Sequence, residues 1–225
     1  MNLEDINNLK HLISPDRVKN INNFLFSKDK KLSLGSELLL RFILRKIHIT
    51  DPIFYKNSYG KLFLKNYPNI HFNISHSEDY VVCGVSTDNL GVDIELISAV
   101  DCEIAKNYFH KIEYEYLKKS NDFNNSFYKL WVLKESYVKM LGLGLKKDLN
   151  SFYITFDGVN KEFNIFDESN HLDEYCRLPK FKVWKISNKK DNKIDNSYYL
   201  SLCYIEKADN IELIEIKNID EILQH

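Results

Sequence analysis

No stretch of about 18 consecutive apolar residues occurs in this chain of 225 residues, so no segment reads as a membrane-crossing helix. Charge of one sign is missing too. The 31 basic and 32 acidic side chains leave a net of −1, which gives no bulk field for gripping nucleic acid. Cysteine is sparse: Cys83, Cys102, Cys176 and Cys203 include no CxxC pair. Such scattered thiols fit buried, reduced side chains better than a disulfide or zinc framework. The opening residues, Met1-Asn2-Leu3-Glu4-Asp5, lack the basic and apolar regions of a secretory signal. A GxxxxGK[ST] phosphate loop, an HExxH pair and a Ser/His/Asp ordering are absent, which removes support for P-loop, zinc-hydrolase and serine-hydrolase chemistry. With 44% hydrophobic residues, the expectation is a soluble, cytoplasmic, monomeric globular protein of one domain or two compact halves.

What is present is organised around residues 127–145. Phe127, Leu130, Trp131, Val138 and Leu141 recur at helical spacing, and Gly142 stands where a left-handed helix end is expected. Glu135 and Lys139, four apart, share one face. Alone, this is an amphipathic helix with a solvated ion pair. A second acidic stretch, Gly91-Val92-Asp93-Ile94-Glu95-Leu96, changes that reading. In a strand, Val92, Ile94 and Leu96 face one way while Asp93 and Glu95 lie side by side on the other. Two carboxylates on a strand and a third on a helix suit a hard cation such as Mg²⁺, which takes oxygen ligands and keeps water and substrate phosphate in its shell. Lys61 after the Tyr59-Gly60 turn, the Ser75-His76 pair and Lys139 are candidate phosphate partners. His76 by itself carries little, because a lone turn histidine is more often structural. A metal plus cations is the equipment of phosphoryl transfer.

Along the chain, Ser14-Pro15-Asp16 signals a helix start, followed over residues 17–26 by an apolar stripe of Val18, Ile21, Phe24 and Leu25. Lys28-Asp29-Lys30-Lys31 reads as a solvated loop, and a stronger helix is expected over 34–47. The period then becomes two, giving strands at 71–75, 80–86 and 92–96, with a turn across 75–79. A single helix is expected over 101–116, with Ile104, Tyr108, Ile112 and Tyr116 spaced as a stripe and its buried face supplied by Ile104 and Tyr108. Four further strands are expected at 152–156, 162–166, 181–186 and 198–205, the first two joined around Asp157-Gly158. Residues 188–196 read as a charged loop, and 211–223 as a strand and then a helical turn. Helices followed by antiparallel strands thus occur twice. The reading is an α+β protein of two related halves, 1–89 and 90–225.

Three of these segments carry a resemblance. Phe72-Asn73-Ile74-Ser75-His76-Ser77, Gly91-Val92-Asp93-Ile94-Glu95, and Trp131-Val132-Leu133-Lys134-Glu135-Ser136-Tyr137-Val138-Lys139 resemble, in order and separation, the motifs of 4′-phosphopantetheinyl transferases. The similarity is to the larger Sfp-like class, named for the activator of surfactin synthetase. It runs from about Ser14 to Phe152, with Leu149-Asn150-Ser151-Phe152 also fitting. It implies two similar α/β halves with coenzyme A between them. It further implies transfer of phosphopantetheine from coenzyme A to a serine of an apo acyl or peptidyl carrier protein, with Mg²⁺ (Mn²⁺ the alternative) and release of adenosine 3′,5′-bisphosphate. Asp93, Glu95 and Glu135 would gather the metal. Glu135 would deprotonate the carrier serine, directly or through a metal-bound water, and Lys139, His76, Ser75 and Lys61 would hold the pyrophosphate. At the 3′-phosphate Arg17 is retained, whereas Asn20 and Leu32 stand where a Lys and an Arg are often found; Lys28, Lys30 and Lys31 are the expected substitutes. Relatives often carry more chain before the Ser14 region, including a first strand. Here Met1 to Ile13 precede it, and the N-terminal half is expected to lose an edge strand or fill it another way.

The carrier is expected to dock on apolar residues just beyond the metal strand, near Ile97, Phe109 and Ile112. Two other readings compete. A Mg²⁺-dependent phosphohydrolase or nuclease could use the same acids, but Glu95 is followed by Leu96-Ile97 rather than a lysine. A non-catalytic coenzyme A or carrier-binding module would leave the acid set without a purpose, since unpaired carboxylates cost stability.

Overall fold

The computed structural model describes residues 3–168, 178–188, 196–205 and 211–223. Its N-terminal half comprises α1 (Leu3–Leu9), α2 (Pro15–Asn23), α3 (Ser27–Lys46), the hairpin of β1 (Phe54–Lys56) and β2 (Leu62–Leu64), and the hairpin of β3 (His71–Ser77) and β4 (Tyr80–Ser86). Ser14 caps α2 by accepting the Arg17 amide. Glu37, buried on α3, accepts from the Ser14 amide at 2.7 Å, the Ser14 hydroxyl at 2.8 Å and Arg41 Nε at 2.8 Å, which ties the two helices together. Residues before Ser14 are helical, and Ile6 and Ile13 pack with Ile21, Leu34 and Leu38.

Three expectations change here. α2 stops at Asn23 because Phe24 takes extended angles, so Leu25 and Phe26 are 90% and 70% exposed rather than part of a buried stripe. Lys28 to Lys31 are not a loop: α3 begins at Ser27, with Asp29 complementing the helix N-terminus. Finally, β3 continues to Ser77, so Ser75 and His76 sit on a strand and the turn falls at Glu78 and Asp79.

The C-terminal half starts with β5 (Leu90–Leu96), followed by α4 (Cys102–Tyr108), α5 (Lys111–Lys118), α6 (Phe123–Leu141), the hairpin of β6 (Phe152–Asp157) and β7 (Glu162–Asp167), then β8 (Pro179–Asn188) and β9 (Asn196–Ile205). β5, β9 and β8 form an antiparallel sheet in that order. α6 packs against β5 and β9, and the Ser136 and Ser201 hydroxyls bond at 2.9 Å in the interface. Gly91 permits this approach. A Cβ there would lie 2.0 Å from the Ser136 carbonyl oxygen and 2.4 Å from the Met140 nitrogen.

Residues 101–116 are two helices, not one. Phe109 and His110 are both extended, and His110 caps α5 while Glu113 reaches back to the His110 amide. The break reverses the expected stripe. Ala105, Phe109, Glu113 and Leu117 are buried, and Ile104, Tyr108, Ile112 and Tyr116 are exposed. Phe109 packs edge-on to Phe127, 5.2 Å between centroids.

The halves meet along β3 and β5, which run side by side in the same direction. Side chains replace a backbone ladder there: Asn73 Oδ1 accepts the Val92 amide at 2.9 Å, and Ser77 Oγ accepts the Leu96 amide at 3.1 Å. Residues 211–218 form no strand, and α7 (Ile219–Leu223) returns to the N-terminal half, where Ile222 joins the Ile6 and Leu34 cluster. The loop expected at 188–196 and Cys176 lie outside the described residues apart from the loop's two ends. Cys83, Cys102 and Cys203 are free thiols.

Candidate active site

Three elements from both halves converge on one carboxylate. Asp93 on β5 is 2% exposed; its Oδ1 accepts Ser75 Oγ from β3 at 2.8 Å and Lys139 Nζ from α6 at 2.5 Å, and Lys139 also donates to Ser75 at 2.9 Å. Its second oxygen, Oδ2, is buried and has no hydrogen-bond partner among the described residues. Burial raises the Asp93 pKa, and the Lys139 charge pulls it back. Glu95, next on the same strand face, accepts the Ser77 hydroxyl at 3.1 Å. Burial, then the Asp93 charge, pushes its pKa up to about 7. Glu135 on α6 is likewise raised, by burial first and then by Asp93. The three predicted acids therefore share one field and repel one another.

Among the described residues no three acidic, histidine or cysteine side chains are grouped as a ready metal cage. The oxygen-only donors, their mutual repulsion and the unpartnered Asp93 Oδ2 nevertheless fit a hard cation that completes its shell with water and substrate oxygens.

Beside this cluster, at the junction of the halves, opens a cavity of about 450 Å³ whose lining includes Arg17, Ser33, Tyr59, Lys61, His76 and Lys139. Burial on one side, then the Lys139 charge, lowers the His76 pKa, so the ring is neutral at neutral pH. Arg17 lies 3.4 Å from Glu37 Oε2 and 3.4 Å from the Ser33 hydroxyl. Lys61, its pKa lowered to about 8 by burial, donates to the carbonyls of Lys139 at 2.9 Å and Met140 at 3.0 Å.

The expected lysine clamp is not assembled. Lys28 pairs with Glu78 on the β3–β4 turn, Lys30 and Lys31 are half-buried on α3 outside the cavity lining, and the acid Asp29 is what faces in. Helical pitch, which a loop would not impose, distributes these residues around α3. The docking trio also divides. Ile112 is 47% exposed and Ile97 half-buried, but Phe109 is 3% exposed and part of the core, so it cannot be a surface anchor.

Sequence reasoning passed over Ser33, Glu37 and the buried pair Lys134–Glu113. The first two were marked only as polar residues set among the leucines Leu32, Leu34 and Leu38. Lys134 is fully buried, donating to both Glu113 oxygens at 2.9 and 2.7 Å and to the Phe152 carbonyl at 2.7 Å. It lies within the third motif, and its position one residue before Glu135 was the available sign.

Comparison with known proteins gives two adjoining matches: a 4′-phosphopantetheinyl transferase superfamily model over residues 89–203, and an N-terminal 4′-phosphopantetheinyl transferase model over 2–88. The chain is similar to 4′-phosphopantetheinyl transferase gsp of Aneurinibacillus migulanus, 40% identical over 66% of this chain and 64% of that protein. It is similar also to 4′-phosphopantetheinyl transferase Sfp of Bacillus subtilis, 35% identical over 63% of this chain and 66% of that protein. A further 4′-phosphopantetheinyl transferase of Bacillus subtilis is 29% identical over 94% of this chain and 90% of its own length. The matched segments thus span just under two thirds of the first two relatives.

Proposed function

The chain belongs to the 4′-phosphopantetheinyl transferase superfamily, and from that premise we propose that it moves the phosphopantetheine group of coenzyme A onto a serine of an apo carrier protein. The observation that carries the reading is the meeting of the Asp93–Ser75–Lys139 cluster with the junction cavity, which sets acids and cations from both halves beside one space. On this reading the halves divide at residue 89, and the coenzyme occupies the cavity between them.

Asp93, Glu95 and Glu135 would hold Mg²⁺, or Mn²⁺ in its place, and the bound cation would neutralise charge on the pyrophosphate. The chain's own groups do the rest. Arg17 and Ser33 border the cavity where a terminal phosphate can be anchored. His76 and Lys139 offer donors to the pyrophosphate oxygens. The carrier serine oxygen bonds to the β-phosphorus, the bond from that phosphorus to the bridging oxygen breaks, and adenosine 3′,5′-bisphosphate leaves. The serine proton passes to Glu135, the α6 carboxylate one helical turn before Lys139. Lys139 stabilises charge on the leaving group.

The carrier would dock over Ile112 and Ile97, joined by the exposed Ile104, Tyr108 and Tyr116, an apolar surface following directly on β5. A cytoplasmic monomer acting on neither nucleic acid nor membrane completes the reading.

The test is release of adenosine 3′,5′-bisphosphate from coenzyme A with Mg²⁺. Release that requires an apo carrier supports the transferase. Release without any carrier would make the protein a hydrolase, and no release under either condition would remove the function.

A further inference from the structure

Lys61 sits on the second strand side of the β1–β2 turn, in the N-terminal half, yet its ammonium is spent on α6 in the other half. The last four carbonyls of a helix have no partner within it. In α6 the Val138 carbonyl is taken by the Gly142 amide, and the Lys139 and Met140 carbonyls by Lys61 Nζ at 2.9 and 3.0 Å. A cation is favoured at this end because the helix dipole is negative there. The turn that carries Lys61 is itself braced. Asn57 Oδ1 accepts the Tyr59 and Lys61 amides at 3.0 and 2.9 Å, and Asn57 Nδ2 lies 3.4 Å from the Gly142 carbonyl oxygen. Gly142, left-handed at φ 70°, leaves room for the lysine stem: a Cβ there would meet Lys61 Cδ at 2.8 Å.

We infer that Lys61 is a positioning residue rather than a phosphate ligand. Fixed on the two carbonyls, it holds the last turn of α6 against the N-terminal half. Lys139, whose backbone carbonyl it grips and whose side chain reaches Ser75 and Asp93, is thereby aimed at the cavity, with Glu135 one turn back. The role as written rests on the transferase reading, since it is transfer that the alignment of Lys139 and Glu135 serves.

Full-length Lys61→Met and Lys61→Arg proteins are compared with the parent in steady-state transfer to an apo carrier. Amide hydrogen exchange of residues 141–143 is measured alongside. Loss of alignment predicts that Lys61→Met lowers kcat about tenfold or more with KM for coenzyme A within about twofold, and that Lys61→Arg, which can still donate to carbonyls, restores at least about a third of kcat. Exchange at 141–143 should quicken in Lys61→Met and not in Lys61→Arg. A rise in KM for coenzyme A exceeding the fall in kcat would identify a phosphate ligand and overturn the inference, as would a Lys61→Met protein with parental kcat. If Lys61→Met does not fold, Asn57→Ala carries the same comparison. A parent that modifies no carrier refutes the transferase reading separately. The exchange data then decide the latch alone, and unchanged exchange overturns it.

Discussion

Removing the ammonium of Lys134 should destabilise this protein more than almost any other single side-chain change outside the cavity. Glu113, 1% exposed, accepts four hydrogen bonds: two from Lys134, one from the Ile154 amide at 2.9 Å and one from the His110 amide at 3.1 Å. Burial dominates the environment of both partners, raising the pKa of Glu113 and lowering that of Lys134 to about 8. Two charges out of water are tolerable only together. In Lys134→Met the Glu113 charge and the Phe152 carbonyl both lose their donor, and breaking a buried pair in this way costs about 3–5 kcal/mol. Against a domain stability of about 5–15 kcal/mol, that is a large fraction. The double variant Lys134→Met/Glu113→Gln removes the stranded charge while the amide oxygen keeps one of the two backbone bonds, which Ile154 and His110 make to different carboxylate oxygens. It should recover more than half of the loss. Urea unfolding of the parent, both single variants and the double variant gives the coupling. The sign with pH follows from the same account. Without Lys134 only the Ile154 and His110 amides offset the burial of Glu113, which raises its pKa, so the folded variant binds a proton more readily than the unfolded chain, and its deficit should shrink as pH falls. A loss below about 1 kcal/mol for Lys134→Met, or a double variant equal to the sum of the singles, would refute the reasoning.

Three further outcomes are expected. Gly91→Ala puts a methyl within 2.0 Å of a backbone oxygen that no rotamer can move, so it should cost about 3 kcal/mol or more in the same unfolding assay; a change under 1 kcal/mol would mean that α6 and β5 separate easily. Ile112→Asp should leave stability and calorimetric coenzyme A affinity at parental values while lowering kcat/KM for the carrier about tenfold, and undiminished carrier modification would move the docking surface elsewhere. Glu95, at about 7 in the cation-free protein, binds a proton more tightly folded than unfolded, so its contribution to stability falls as pH rises from 4.5 to 7. Mg²⁺ added with coenzyme A at pH 6.5 should displace that proton, seen as a binding enthalpy that varies with the buffer's ionisation enthalpy; no such variation would separate Glu95 from the cation.

Periodicity made much of this architecture legible. The α6 stripe with its Gly142 end and the alternation that sets Asp93 and Glu95 on one face of β5 were readable because each depends on local spacing. What failed was decided by contacts distant in sequence. The run from 101 to 116 has helical periodicity throughout, but its register reverses because Glu113 is drawn inward by Lys134, 21 residues away, and Phe109 by Phe127. Phe24 and Leu25 continue a stripe whose helix has already ended. Lys28 to Lys31 look like a solvated charge run, and only α3 shows that Asp29, not a lysine, borders the cavity. In the site, the motifs named Asp93, Ser75 and Lys139, while their mutual bonds required three elements to meet. Lys61 was legible as a basic residue after a turn. That its partners are helix carbonyls was not.

The most direct test of the account is the intact mass of an apo carrier protein after incubation with this protein, coenzyme A and Mg²⁺, beside a carrier whose acceptor serine is alanine. The account predicts that the first carrier gains the mass of one phosphopantetheine group and the second gains nothing, with the gain abolished in Asp93→Ala and Lys139→Met proteins that remain folded. A serine carrier of unchanged mass, or equal gain with the Asp93→Ala protein, would contradict it.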